Sequence, residues 1–161
     1  MTAPDNCVIR AAALADLDSV HALEQTCFAA DTRADAQSRR SLRYLITQAR
    51  ADFMLALDAG RVVADVIVLY RNNSGIARLY SIAVDEAARG RGLAGVLLGE
   101  AEAAARRRGC RALRAEARLS NRASRALFAR AGYRESARLP GYYSGNDGTY
   151  EDGIRLEKIL T

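Results

Sequence analysis

Histidine, lysine and cysteine are scarce in this 161-residue chain, and each scarcity removes a class of function. One histidine, His21, and three scattered cysteines, Cys7, Cys27 and Cys110, offer neither metal-ligand spacing nor an even-numbered disulfide framework. The expectation is a reduced, metal-free, cytoplasmic protein in which His21 is structural or solvated. No apolar run approaches the ~18 residues that a membrane helix needs. Met1 to Asn6 lack the basic-then-apolar pattern of a secretion signal. Repeats, low-complexity linkers and an aromatic nucleic-acid platform are missing as well. What remains is a chain with 50% hydrophobic and 27% charged residues, a balance that suits one soluble globular domain over 1–161, with 1–6 flexible. Lys158 is the single lysine among 24 Lys and Arg, and the net charge of +5 suits nucleic acid or a polyanionic small ligand equally.

Hydrophobic periodicity predicts two helices first, Ala15 to Phe28 and Ser38 to Arg50, with Asp16 and Asp18 complementing the first helix dipole. The period then shortens. Asp52 to Leu57, Val62 to Tyr70 and Ile76 to Val84 are rich in β-branched and aromatic residues and are separated by hairpin-sized turns, which predicts an antiparallel meander. A helix over Leu93 to Arg108 follows, stopped by Gly109. Ala112 to Arg118 reads as a strand, and Asn121 caps a helix that ends at Gly132. Tyr133 to Leu139 and Gly153 to Ile159 complete a last strand pair around a turn-rich loop. The fold class is α/β, a mixed and mostly antiparallel central sheet flanked by helices. Asp65 interrupts an apolar strand and is expected at an exposed edge.

The richest local signal is the glycine turn of Arg89, Gly90, Arg91, Gly92, Leu93, Ala94 and Gly95, between a strand and a helix. Such a turn aims several backbone N–H groups at one point, where the helix dipole adds partial positive charge. The physical expectation is a pyrophosphate-sized anion. Gly90, Gly92 and Gly95 also satisfy the dinucleotide fingerprint, with Glu116 roughly 20 residues on, where a ribose-binding acid is expected. Against that reading, Asp85 to Arg89 separate the strand from the first glycine, and antiparallel hairpins precede the loop instead of β-α-β units. A purely structural turn is the bland alternative.

The motif Arg89-x-x-Gly92-x-Ala94 resembles the R/Q-x-x-G-x-G/A signature of the GNAT superfamily of acetyl-CoA-dependent N-acetyltransferases, and the resemblance extends over nearly the whole element order. It implies that the backbone of Ile82, Ala83 and Val84 pairs with the pantetheine arm and that Gly90 to Gly95 hold the pyrophosphate. The segment Ala115 to Ala123, followed by Leu127-Phe128 and Ala131-Gly132-Tyr133, is similar to the closing segment of ribosomal-protein N-α-acetyltransferases (RimI-type). By that similarity Glu116 is the general base, Asn121 contacts the coenzyme, and Phe128 stands where the family has a proton-donating tyrosine. Phenylalanine cannot donate a proton. Tyr133, Tyr142 or Tyr143 then substitutes, or the thiolate departs without a dedicated acid.

An amine with a pKa near ~8 or ~10.4 is mostly protonated at neutral pH, so attack on a thioester benefits from a carboxylate base. Glu116 suits that task, and an ordinary ion pair with Arg114 or Arg118 is its bland alternative. Tyr142 and Tyr143 match the paired tyrosine with which RimI-type enzymes grip a peptide N-terminus, and Asp31, Ser38 and Arg39 are expected on the opposite wall. Asn121 also serves as an N-cap. The expectation is acetyl transfer from acetyl-CoA to a primary amine, foremost a protein or peptide N-terminal α-amine, in a ternary complex without an acyl-enzyme. Small-molecule amines, or a coenzyme-binding regulatory module without turnover, stay open, as does a homodimer. Neither nucleic acid nor membrane is expected as a partner.

Overall fold

The computed structural model describes residues 2–28, 35–48, 50–145 and 147–161. A strand β1 (Cys7–Ala11) leads through a short turn into α1 (Leu17–Cys27), and α2 (Arg39–Thr47) follows. Ser38 caps α2 by accepting a hydrogen bond from the Ser41 amide at 3.1 Å. The meander β2 (Ala51–Asp58), β3 (Arg61–Leu69) and β4 (Ile76–Val84) comes next, then α3 (Leu93–Arg107) and β5 (Ala112–Arg118). The chain closes with α4 (Arg122–Arg130) and the hairpin β6 (Arg134–Ser144) and β7 (Tyr150–Ile159). These elements build one seven-stranded sheet in the order β1-β2-β3-β4-β5-β7-β6, in which only β4 and β5 run parallel.

Two differences from the sequence expectation concern strands. β1 was not expected; it is short, edge-placed and largely exposed, so it has almost no apolar alternation to read. The aromatic segment expected as a loop is mostly strand, because β6 runs through Tyr142 and Tyr143 to Ser144. Pro140 and Gly141 are accommodated by a bulge: Leu139 faces Gly153, whereas Tyr143 faces Glu151, and Gly141 adopts φ +59°. Asp152 stabilises the bulge by accepting hydrogen bonds from the Gly141 amide and from Arg138 Nε.

The sheet buries both faces. α3 lays Leu97, Leu98, Ala101, Ala104 and Ala105 on Val66, Val68, Leu79 and Leu113. The run of alanines on that helix lets its backbone approach the sheet closely. α1 and α2 cover the opposite face, where Leu17, Val20, Leu42 and Leu45 meet Phe53, Leu55, Leu57 and Ile67. The helix α3 begins at Gly92 and is terminated by Gly109, both in the left-handed region at φ +78°.

Asp65 is the main correction in the core. It is not exposed at an edge: β3 is interior to the sheet and Asp65 is 0% accessible. The period of β3 points it at α1, where Glu24 is equally buried. Neither Asp65 oxygen receives a hydrogen bond from an ordinary donor, and the group facing it is the Glu24 carboxyl. Two buried carboxyls can bond to each other only if one keeps its proton. Burial raises the pKa of both, with the charge of Glu24 adding to the effect on Asp65.

The folded protein therefore binds more protons than the unfolded chain above the ordinary carboxyl range. That stabilisation is fully present below about pH 4 and is lost as pH rises through the raised folded values. Asp65→Asn replaces the carboxyl that must hold a proton with a neutral amide, whose N–H can donate to Glu24 at any pH. At pH 7.5 it is expected to stabilise the fold by about 1–2 kcal/mol, or roughly 3–6 °C in Tm. The gain should shrink towards zero near pH 4 in a series of thermal melts.

Candidate active site

β4 and β5 pair only at their first three positions, Ile76 with Ala112, Ala77 with Leu113 and Arg78 with Arg114. Beyond Arg78 the strands part. The cause is a bulge in β4: Leu79 faces Val68 and Ser81 faces Ile67, which leaves Tyr80 as the extra residue and bends the strand. The opening is a cleft of about 920 Å³. One end is lined by the glycine turn and the start of α3, and the other by residues of β4, β5 and β6.

At the first end, the N–H groups of Gly90 through Gly95 donate to no acceptor among the described residues, because they precede the first helical bond from the Val96 amide to Gly92 O. Gly90 and Gly92 hold φ +78°, which a residue with a Cβ rarely adopts. Arg89 ties the turn to β4 through Nε, which donates to Val84 O at 3.1 Å. Ile82, Ala83, Val84, Arg89, Gly90, Gly92, Leu93, Ala94 and Gly95 all line the cleft. Arg91 does not: its guanidinium bonds Asp58 at 2.6 Å on the far side of the turn. Its contribution to the cleft reduces to its backbone. Asn121 lines the cleft while its side-chain oxygen caps α4 by accepting from the Ser124 amide at 3.0 Å.

At the other end stands Glu116. The alternation of β5 sends Leu113, Ala115 and Ala117 into the α3 side of the core and turns Arg114, Glu116 and Arg118 to the opposite face. Glu116 is only 10% exposed at its side chain, and its partner is neither sequence neighbour. Arg114 pairs with Glu157 across the sheet, and Arg118 with Asp35 and Glu151. The cation on Glu116 is Arg78, whose Nε donates to Oε2 at 3.2 Å and whose Nη2 donates to the Tyr142 hydroxyl at 3.1 Å. Glu116 Oε1 accepts no bond among the described residues.

Tyr142 and Tyr143 both reach the cleft and contact each other edge-to-face at 5.0 Å. Arg118 lies over the Tyr143 ring at 4.7 Å. Burial, with Tyr142 and Glu116 nearby, raises the Tyr143 hydroxyl above its ordinary value, so it keeps its proton at neutral pH. Phe128 lines the cleft but is 2% exposed, packed edge-to-face on Tyr133. Tyr133 does not reach the cleft, so of the tyrosines considered as replacements, Tyr142 and Tyr143 remain.

On the opposite wall, Asp31 lies outside the described residues. Ser38 and Arg39 turn elsewhere, one capping α2 and the other pairing with Asp18. Asp35 and Gln37 line the cleft in their place. Sequence reasoning missed Arg78, Asp35 and Gln37 because nothing local marks them; Arg78 becomes visible only once β4 and β5 are paired in register. Cys27 also lines the cleft, which proximity in sequence did not suggest. Burial beside Asp65 pushes its thiol up to about 11, so it is a neutral thiol and a poor nucleophile.

A family model described as the acetyltransferase (GNAT) family matches residues 17–133. No curated protein matches the sequence. Among solved structures, the ribosomal-protein-S18-alanine N-acetyltransferase of Escherichia coli superposes with a TM-score of 0.83 at 26% identity, over 96% of this chain and 94% of that one. The ribosomal-protein-alanine N-acetyltransferase of Brucella melitensis gives 0.81 at 26%, over 95% and 99%. A structure described provisionally as a phosphinothricin N-acetyltransferase gives 0.80 at 28%, over 96% and 99%.

Gly153 fixes the tyrosine pair from behind. A Cβ there would lie 3.0 Å from Tyr143 Cε2 and 3.3 Å from Tyr142 Cβ, so the rings use the space that a side chain would fill. Gly153→Ala is expected to displace the Tyr143 ring and cut turnover roughly tenfold to a hundredfold, the scale of a side chain in the cleft misplaced by about 1 Å. The check is kcat alongside a thermal melt that reports an intact fold; wild-type kcat would mean that the Tyr143 position is immaterial.

Proposed function

The chain belongs to the GNAT family of acetyltransferases, and from that premise we propose that it acetylates the α-amine at a protein or peptide N-terminus, by direct attack in a ternary complex. The observation that carries the proposal is the cleft itself, which joins unpartnered amides at one end to a carboxylate and two tyrosines at the other.

The family's co-substrate is acetyl-CoA, which supplies an acetyl group activated as a thioester. The residues present suit it. The free amides of Gly90 to Gly95, at the positive end of α3, match a pyrophosphate in charge and spacing. On the side facing β5, the edge of β4 at Ile82, Ala83 and Val84 has no strand beside it and suits an extended amide-bearing arm. The Asn121 carboxamide faces the same cleft.

Glu116 takes the proton of the acceptor amine at Oε1, the oxygen that Arg78 leaves free. Tyr143 Oη holds its proton through neutral pH and passes it to the departing sulfur. Phe128 keeps water away from that position and takes no part in proton transfer. Cys27 stays a thiol throughout, in keeping with direct attack.

Release of free thiol from acetyl-CoA, screened over N-terminal peptides and small amines, tests the proposal. Release with peptides is expected, abolished by blocking the peptide N-terminus. Release with small amines alone would overturn the peptide acceptor. Glu116→Gln is expected to lower kcat/KM by about 10²–10⁴, the usual worth of a general base, and wild-type rates across pH would remove Glu116 from that role. Tyr143→Phe is expected to lower kcat about a hundredfold, the low end for a proton donor to a tolerable leaving group.

A further inference from the structure

Two arginines pack against the tyrosine pair, and they are committed to very different degrees. Arg118 is nearly saturated: Nε and Nη2 hold Asp35 at 2.8 and 3.0 Å, Nη1 holds Glu151 at 3.4 Å, and Nη2 also donates to Ser144 O at 3.2 Å. Its side chain is 9% exposed. Arg78 differs. A guanidinium carries five N–H donors, and Arg78 uses Nε on Glu116 and one Nη2 hydrogen on Tyr142. The remaining three hydrogens, two on Nη1 and one on Nη2, meet no acceptor among the described residues. Arg78 lines the cleft with 42% of its side chain exposed. Across β5 and β7, Arg155 faces Glu116 in register, and its Nε is buried without a hydrogen-bond partner among the described residues.

We propose that the free Nη edge of Arg78 binds a carboxylate carried by the acceptor close to its reacting amine. This rests on the acetyltransferase reading and narrows its acceptor class. The Arg78–Glu116 pair presents a positive and a negative group side by side, 3.2 Å apart. An acceptor whose ammonium and carboxylate are separated by a few bonds is its electrostatic complement, with the amine on Glu116 and the carboxylate on Arg78. A guanidinium edge grips a carboxylate through two parallel bonds, which fixes orientation as well as affinity. The bond from Nε to Glu116 survives, so binding the acceptor's anion leaves Glu116 in place. A neutral or cationic group at the same position would leave the Arg78 edge desolvated and unpaired. Two sources share this chemistry: the acidic side chain of a residue at the start of a peptide, and the α-carboxylate of a free amino acid.

Paired acceptors separate them. One arm compares C-terminally amidated peptides with Asp or Glu at the first or second position against the same peptides with Asn or Gln. The other compares free amino acids with their α-amides. In thiol release, kcat/KM for the wild type is expected to favour the carboxylate member at least tenfold in one arm, and that arm identifies the source. Arg78→Gln should collapse the ratio to within twofold of unity, and Arg78→Lys should restore part of it; a merely structural arginine would leave the ratio untouched. A wild-type ratio within threefold of unity in both arms, or an unchanged ratio in a folded Arg78→Gln variant, overturns the proposal. Calorimetric titration of the same pairs into protein saturated with coenzyme A reads the selectivity without turnover. Absence of thiol release therefore bears on the acetyl-transfer reading alone, and equal binding of acid and amide bears on Arg78.

Discussion

The parting of β4 from β5 after Arg78 is the constraint on which the rest of the molecule depends. Splitting a sheet strips backbone groups of partners, and a buried amide without a partner costs more than the hydrogen bond it would make. Here the cost is confined to one place and supported from both faces. α3 packs under the meander through small side chains, and α1 and α2 cover the other side, so both faces of the bent meander are buried. The extra residue Tyr80 supplies the bend, and its hydroxyl bonds Gln37 at 3.3 Å, which ties the bulge to the segment before α2. The split in the sheet and the wall that faces it are therefore positioned by the same residue.

Charge inside the cleft follows from the same geometry. Alternation along β5 sends three long polar side chains, Arg114, Glu116 and Arg118, onto one face, and each needs a counter-charge because the surface there is partly closed to water. Each finds it on another element: Arg114 on Glu157 of β7, Glu116 on Arg78 of β4, and Arg118 on Asp35 ahead of α2 and on Glu151, again of β7. Removing one member of such a pair leaves the other uncompensated, which is why these contacts specify geometry more than they add stability. Arg118 joins the first helical segment to the last hairpin across the cleft mouth. That connection is what holds Tyr143 under its guanidinium.

The sequence made readable whatever depends on local periodicity or backbone chirality. The meander, α3 and the glycine turn were visible because strand alternation, alanine-rich helical spacing and left-handed glycines at 90, 92 and 109 leave local marks. What it hid is pairwise. Arg78 and Glu116 are far apart along the chain and meet only through the three-residue parallel register of β4 and β5. Asp65 resembled an edge residue because a lone carboxylate in an apolar strand has no local explanation; its partner, Glu24, lies on a helix that reads as ordinary amphipathic surface. Gly153 looked like punctuation in a loop, whereas it is the space into which two tyrosine rings fold.

Phe128 offers the cleft no proton, and its surroundings show what it does instead. Its ring is wholly buried against Tyr133, so the position has become part of the core beneath the cleft. The Tyr133 hydroxyl, raised by burial beside Glu102, points away into the interior and is of no use to a group in the cleft. Of the replacement tyrosines, those that do reach the cleft are on the opposite wall. Tyr143 is there, brought by the Pro140–Gly141 bulge that rotates the end of β6 inward. Tyr143 on β6 still feels the charge of Glu116 on β5, although β7 runs between their strands in the sheet. A change in the charge of Glu116 therefore shifts the proton affinity of Tyr143: neutralising Glu116 makes the tyrosine hydroxyl a better donor, which is the order of events that the proposed mechanism requires.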